Sequence, residues 1–367
     1  MAKSFPSTSR DRPALVGAVV LLFLVLCFAL SPLLNATPSA RAKAVAGKPL
    51  FAGVNLATGG FAPERIPGVY GHDYRYPDAQ TAAPFVAMGM NAFRLPVLWE
   101  RLQPVALGPL DQTELARVDQ SIAGLGGIAV VIVDLHNYAR YRGEMLDGSD
   151  ASAARLADVW QRLAMHYRQS PRIAFGLMNE PHDIGGAQWR RTVDRTVAAI
   201  RATGSTNLLL VPGVRWSGGH AWRDGGAESS AVALHGFKDP ANHFLFEIHQ
   251  YLDSNSSGTG NECVDVGIGR RRLAGVTDWL RAERAGAVLG EFGASPNPRC
   301  LAALDDLLGF LDANADVWRG WTYWAGGDWW GDYSYSIQPD YHGPKPQAAV
   351  LRRHLADYAR MAGPLRR

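Results

Sequence analysis

The 367-residue chain has only three cysteines, no concentrated run of positive charge, and neither the HxH nor the HExxH spacing of a zinc hydrolase. Each absence removes a class of protein. Formal net charge is +3 with acidic and basic residues mixed throughout, so the basic face that a phosphate backbone requires is missing and nucleic acid is not an expected partner. The short basic cluster "GRRRL", Gly269 to Leu273, reads as the solvated face of a helix. No GxGxxG follows the first apolar strand, which counts against a doubly wound dinucleotide-binding sheet. No internal repeat is evident, and no Pro/Ser/Thr-rich linker leads to a second module. What is abundant is apolar and aromatic surface: 47% hydrophobic residues, 10% aromatics and 11 tryptophans against 19% charged residues, the balance of a folded enzyme and too apolar for a disordered chain.

The first 44 residues differ from the rest. Arg10, Asp11 and Arg12 precede the uncharged run "ALVGAVVLLFLVLCFAL", Ala14 to Leu30, and small residues at Ala40-x-Ala42 and Ala42-x-Ala44 suit signal peptidase. Residues 1–44 are therefore expected to be an export signal, giving a secreted or periplasmic protein. The run is close to the length that spans a bilayer, so an uncleaved anchor over residues 14–34 is the alternative, and the only membrane contact expected. Cys27 lies inside the run as an apolar filler. Cys263 and Cys300 are then an even pair in an oxidising compartment, where a disulfide is the default expectation.

From residue 51 onward eight apolar runs recur: "FAGVNLA", "AFRLPV", "AVVIVDLHN", "IAFGLMNEP", "LLLVPG", "FLFEIHQYL", "AVLGEFG" and "GWTYWAGG". Most intervals carry a 3.6-residue period. In "ASAARLADVWQRLAMHY", Leu156, Val159, Trp160 and Leu163 share one face, and Ser149 or Asp150 can cap its start. Eight strand–helix units with strands apolar on both faces predict an α/β fold, a single-domain (β/α)8 TIM barrel over residues 45–363. One unit fits badly: between Gly213 and His243 the sequence is rich in Gly and Ser, which predicts a long loop with a short helical piece.

In such a barrel, function sits at the C-terminal ends of the strands. That rim collects Asn55, Arg94, His136, Asn137, Asn179, Glu180, Trp216, His249, Tyr251, Glu291 and Trp324. A single carboxylate there could be a structural ion pair. Two of them, Glu180 at strand four and Glu291 at strand seven, are hard to justify as stability devices, because removing charge from water costs several kcal/mol each, roughly, unless it is paired. Paired carboxylates across an aromatic groove suit glycosidic hydrolysis: one protonates the leaving oxygen while the other attacks the anomeric carbon or activates water. Indole and phenol faces stack on the apolar faces of pyranoses, which assigns "WTYWAGGDWWGDYSY" and "VRWSGGHAW" as subsite walls, with some of these rings left for the core. The glutamates have this use of their own, so no metal and no cofactor is expected.

The segments "VDLHNYARY", "GLMNEPHD", "HQYLDSNSSGTGNEC" and "GEFG" together resemble glycoside hydrolase family 5, and most of all its endoglucanase (cellulase) branch, over most of residues 50 to 330. The resemblance implies a retaining mechanism with Glu180 as general acid/base and Glu291 as nucleophile. It implies further that Arg94 keeps Glu291 ionised and that Asn179 holds the sugar 2-hydroxyl. His249 and Tyr251 would flank the two glutamates, His136 and Asn137 would line the cleavage subsite, and Trp324 would be its floor. Trp216 is a further substrate contact. Retention requires carboxyl groups about 5 Å apart, and Glu180 should be held protonated by burial before attack. A Cys263–Cys300 bridge fits the same branch and would tie the loop after strand six to the start of helix seven. The expected partner is a β-glucan, soluble or amorphous rather than crystalline, met by a monomer. Mannan, xyloglucan and mixed-linkage glucan stay open as substrates. A non-catalytic sugar-binding protein at the cell surface is a third reading, against which two facing buried carboxylates argue.

Overall fold

The computed structural model describes residues 50–126 and 130–355. The segment expected to be a signal or anchor, residues 14–34 included, lies outside the described residues, as does Cys27. Among the described residues no helix is long and apolar enough to cross a membrane.

The eight runs form eight parallel strands: β1 (Phe51–Leu56), β2 (Ala92–Val97), β3 (Val130–Leu135), β4 (Ile173–Gly176), β5 (Leu209–Pro212), β6 (Phe244–His249), β7 (Ala287–Glu291) and β8 (Trp318–Gly326). They close in sequential order, with β8 pairing β1, as the (β/α)8 expectation requires. A two-residue hairpin, Arg140–Tyr141 with Glu144–Met145, decorates the loop after β3.

Strand residues alternate between the lumen and the helix layer. Phe51, Ala92, Val130, Ile132, Ala174, Leu208, Leu210 and Val288 form a small apolar cluster separate from the main core, which plugs the floor of the barrel. Their strand neighbours, such as Ala52, Phe93, Val131, Phe175 and Leu209, belong to the larger core under the helices. Closing the floor needs a bare backbone opposite Phe51, since a Cβ at Gly320 would come within 2.5 Å of that ring. Two residues further along, the lumen changes character. Asn55, Arg94, Asp134, Glu247 and Thr322 are all fully buried there, so the apolar floor carries a charged storey.

Besides a single α-helical turn after β2, Trp99–Leu102, the helices among the described residues are α1 (Ala79–Met88), α2 (Gln112–Gly124), α3 (Asp150–Tyr167), α4 (Gly186–Ala202), α5 (Ser230–Ala233), α6 (Ile268–Glu283), α7 (Pro298–Ala313) and α8 (Pro346–Arg353). Ser149, not Asp150, caps α3 by accepting from the Ser152 amide, and Leu156, Val159, Trp160 and Leu163 are buried together. The weak unit is as expected: α5 is one turn, set in a long loop. "GRRRL" lies on α6, but only part of it is solvated. The exposed Arg270 and Arg271 pair with Asp306 and Asp265, whereas Arg272 turns inward and donates to the carbonyls of Tyr251, Asp253 and Ser254 at 2.7, 2.8 and 3.0 Å. The solvated reading is corrected for that residue: its guanidinium gathers three loop carbonyls, of which those of Tyr251 and Asp253 also accept from Gln250 Nε2 and the Ser256 amide. Cys263 and Cys300 are joined by a disulfide, with Cα atoms 5.3 Å apart, which fastens the same loop to the N-terminus of α7.

Candidate active site

Arg94 points up from the floor of the barrel and is fully buried. Its Nε donates to Glu247 Oε1 at 2.9 Å, and one terminal nitrogen donates to Asn55 Oδ1 and Glu291 Oε1, both at 2.9 Å. The other donates to Asn179 Oδ1 at 2.8 Å and lies 3.1 Å from Asp134 Oδ1. A planar fork can donate to four acceptors from different strand ends at once while lying against the carboxylate of Asp134 on a fifth, which an ammonium could not. Burial works against its charge, but Asp134, Glu247, Glu291 and Glu180 outweigh it and raise its pKa. Asn55 completes the frame by donating to the carbonyls of Gly290, Thr322 and Tyr323, which pins the ends of β7 and β8.

Glu291 ends β7 with one oxygen on Arg94 and the other accepting from the Tyr251 hydroxyl at 2.8 Å. Glu180 follows β4 with a left-handed backbone, φ 43°, a conformation that costs a non-glycine residue roughly 1 kcal/mol and that surrounding structure must enforce. The Asn179 amide does so by donating to the Leu135 carbonyl at 2.7 Å, and Trp216 donates its own amide to Pro181 O. The turn carries the Glu180 carboxylate back over the barrel mouth, where Oε1 lies 2.7 Å from His249 Nδ1. Glu180, His249 and Glu291 each present one atom within 4.8 Å of the other two. Asn179 Nδ2 is buried and has no protein partner.

Sequence reasoning passed over two carboxylates. Asp134 Oδ2 lies 2.8 Å from His136 Nδ1, and Glu247 Oε1 lies 3.4 Å from His249 Nε2. The signal was available. In "VDLHN" and "FEIHQ" an acidic residue stands two before a histidine inside an apolar strand, and a period of two puts both on the lumen side.

The imidazole of His249 would lose its proton on burial, but Glu291, Glu180 and Glu247 reverse this and push its pKa up from 6.5 to about 10. Burial would raise Glu247, yet Arg94 and His249 hold it below the ordinary 4.5. Burial and the Glu291 charge drive Tyr251 well above the usual phenol value, so it stays a donor. The linkage follows in sign. Because His249 is raised, its contribution to stability is full below about pH 6.5 and is lost as pH climbs through about 10. Because Glu247 is lowered, its contribution is present above about 4.5 and is lost as pH falls through its folded value. Thermal unfolding measured from pH 6 to 10 should therefore show a steeper alkaline fall in Tm for the wild type than for His249→Gln. Parallel curves would refute a charged His249.

Around this centre, His136 stacks on Trp324 with ring centres 5.7 Å apart and planes within 9°, and the Tyr138 hydroxyl lies 3.3 Å from His136 Nε2. Trp324 leads into a cleft of about 590 Å³ whose walls include Phe61, Trp329 and Trp330. On the other side, Trp216 is 51% exposed and stacks on His182 at 4.6 Å and 11°. It stands in three successive left-handed residues, Arg215 to Ser217. Trp222, Trp321 and Tyr323 are core rings. Asn137 departs from the expectation that it lines the cleavage subsite. Its Nδ2 donates to Glu100 at 2.7 Å and its Oδ1 accepts from the Trp99 amide at 2.8 Å, so it holds the loop after β2. With Asp134 and His136 facing the lumen, alternation turns Asn137 away.

By distance alone, Glu180, His249 and Glu291 could hold a cation. The Arg94 guanidinium, 2.9 Å from Glu291 Oε1, sets a fixed positive charge against that donor set and works against a cation there.

Comparison with known proteins agrees with this geometry. The sequence family described as Cellulase (glycosyl hydrolase family 5) matches residues 47–327. Endoglucanase gh5-1 of Neurospora crassa is 37% identical over 298 residues, covering 80% of this chain and 74% of that protein. Among solved structures, XacCel5A in complex with cellopentaose superposes with a TM-score of 0.81 at 43% identity, covering 83% of this chain and 99% of that one. The endo-beta-1,4-glucanase Xac0029 of Xanthomonas axonopodis pv. citri gives 0.80 at 44%, covering 83% and 98%.

Proposed function

The chain belongs to glycosyl hydrolase family 5, the cellulase family, and from that premise we propose that it is an exported endo-β-1,4-glucanase acting with retention of anomeric configuration. The observation that carries this reading is the approach of the Glu180 and Glu291 carboxylates to within 4.8 Å. That gap suits a nucleophile and an acid/base on one anomeric carbon, whose carboxyl groups stand about 5–5.5 Å apart, and not the 6.5–9.5 Å or so that an intervening water requires.

Glu291, oriented by Arg94 and Tyr251, attacks the anomeric carbon while Glu180 gives a proton to the departing glycosidic oxygen. The glycosyl ester on Glu291 is then opened by water, whose proton passes to Glu180. Asn179 Nδ2, the unengaged donor, is placed to bond the 2-hydroxyl of the sugar, a contact that strengthens in the transition state. Trp324, which leads into the cleft walled by Phe61, Trp329 and Trp330, and the exposed Trp216 supply stacking faces away from the two glutamates, as internal cleavage of a long chain requires. Binding of cellopentaose by XacCel5A supports a β-1,4-linked glucose backbone as the substrate here. The Cys263–Cys300 disulfide supports an oxidising compartment and so the export of residues 45–363 behind a signal or anchor in residues 1–44.

The test is product analysis on carboxymethylcellulose, glucomannan, xyloglucan and mixed-linkage glucan. Carboxymethylcellulose should lose viscosity faster than it gains reducing ends, and proton NMR should show the β-anomer as the first product. Release from glucomannan or xyloglucan alone would reassign the substrate, and an α-anomer first would refute the retaining mechanism.

A further inference from the structure

We propose that Glu247 is a positioning residue for hydrolysis: it joins the guanidinium that braces Glu291 to the imidazole that touches Glu180, so both reacting carboxylates share one charge frame. This rests on the assignment of Glu180 and Glu291 given above.

Glu247 sits wholly inside the barrel, with Oε1 on Arg94 Nε at 2.9 Å and 3.4 Å from His249 Nε2, while its Oε2 is buried with no partner. A buried carboxylate with an unsatisfied oxygen is a poor stability device, and an apolar side chain would fill the lumen at less cost. The neighbouring strand also yields space to it. A Cβ at Gly290 would come within 2.5 Å of Glu247 Oε1 and 3.0 Å of His249 Nε2, so only glycine there lets carboxylate and imidazole meet. Asp134 makes the matching contact to His136, but of the two only Glu247 reaches the ring that touches Glu180.

The charged and titratable groups facing His249 are Arg94 from β2, Glu180 after β4, Glu247 on β6 itself, Tyr251 just beyond it and Glu291 from β7. Asp134 on β3 connects to this set through Arg94, and the loop after β5 meets the His249 backbone at Ser217 and Gly219. Glu180 Oε1 and His249 Nδ1 lie 2.7 Å apart, close enough to share one hydrogen. Hydrolysis needs one proton in that pair for the leaving group, and loss of the last one sets the alkaline limb of the pH profile. A negative charge beside the ring retains that proton, whichever partner carries it. Removing the charge must move the limb toward lower pH.

The experiment is Glu247→Gln, which keeps shape and removes charge. Expected is an alkaline limb of kcat/KM displaced toward lower pH by roughly one unit or more, the least that a unit charge 3.4 Å away would impose even at the dielectric of water, about 80, with KM within about 3-fold. A folded variant whose limb does not move overturns the proposal, whatever its Tm, because a merely structural role leaves the profile in place. If the variant does not fold, the wild type decides: its His249 imidazole, followed by ¹⁵N NMR, should stay protonated at pH 8, and titration near 6.5 overturns the proposal. Glu180→Gln and Glu291→Gln run alongside separate the two claims. Full activity in both defeats the functional reading itself, whereas inactivity in both with an unmoved limb in Glu247→Gln defeats only this proposal.

Discussion

Glutamine in place of Glu291 should lower the rate on carboxymethylcellulose by roughly four orders of magnitude or more, the scale on which loss of an enzymatic nucleophile acts. The amide keeps the shape of the side chain: its oxygen can still accept from Arg94, now at 2.9 Å, while its NH2 faces the Tyr251 hydroxyl, now at 2.8 Å, whose oxygen can accept in turn, so the frame should survive and polymer binding should remain measurable by affinity electrophoresis. Glu180→Gln should lose roughly 10²- to 10⁴-fold on the same polymer, the range for removal of a general acid. The two variants should part on an aryl cellobioside whose phenol leaves without protonation. There the first step proceeds without Glu180, while Glu291→Gln stays inactive because no ester can form. Equal losses of kcat/KM, which reports the first step, on polymer and aryl substrate for Glu180→Gln would show that it is not the acid, and hydrolysis by both variants at the wild-type rate would end the assignment.

The barrel was legible because its strands are buried on both faces and its helices on one, which leaves continuous apolar runs alternating with 3.6-residue periods; even the irregular β5–β6 unit announced itself by its Gly and Ser content. The rim was legible for the same geometric reason, since a strand's last residues must reach it. Local alternation was harder to follow beyond the strand ends. Asn137 is adjacent to His136 in sequence and turns the opposite way, a fact that a list of strand-end residues hides. Asp134 and Glu247 were hidden differently. They lie one layer below the rim, where charge is expensive, and only the pairing with Arg94 makes them tolerable. The acidic residue two before a histidine marked both positions, but the pairing joins residues 40 apart (94 and 134) and 153 apart (94 and 247), and no local pattern carries it. Arg272 is similar, an arginine inside a run of three whose role is set by carbonyls of a distant loop.

Arg94→Met should be the most destabilising single change in the barrel. The thioether fills most of the space but leaves Glu247 and Asp134, both with fully buried side chains, and Glu291 without their shared counter-charge. Breaking one buried pair by removing a partner costs about 3–5 kcal/mol, and here one deletion strands three carboxylates, so the loss in urea unfolding at pH 7 should reach at least that figure. Arg94→Lys should not rescue activity, because one ammonium cannot serve Asn55, Asn179, Glu247 and Glu291 in the fixed plane that the guanidinium occupies. Protonation supplies the internal control. As pH falls toward 4 the stranded carboxylates can neutralise themselves, so the gap between Arg94→Met and wild type should narrow, opposite to the widening expected if the variant suffered only from lost packing under acid. Combining Arg94→Met with Glu247→Gln should cost less than the sum of the two single changes, since the second removes a charge that the first left unpaired, and residues in one network couple by about 0.5–3 kcal/mol. Strict additivity, or an Arg94→Met protein within about 1 kcal/mol of wild type, would mean that the charged storey is neutralised by something other than Arg94.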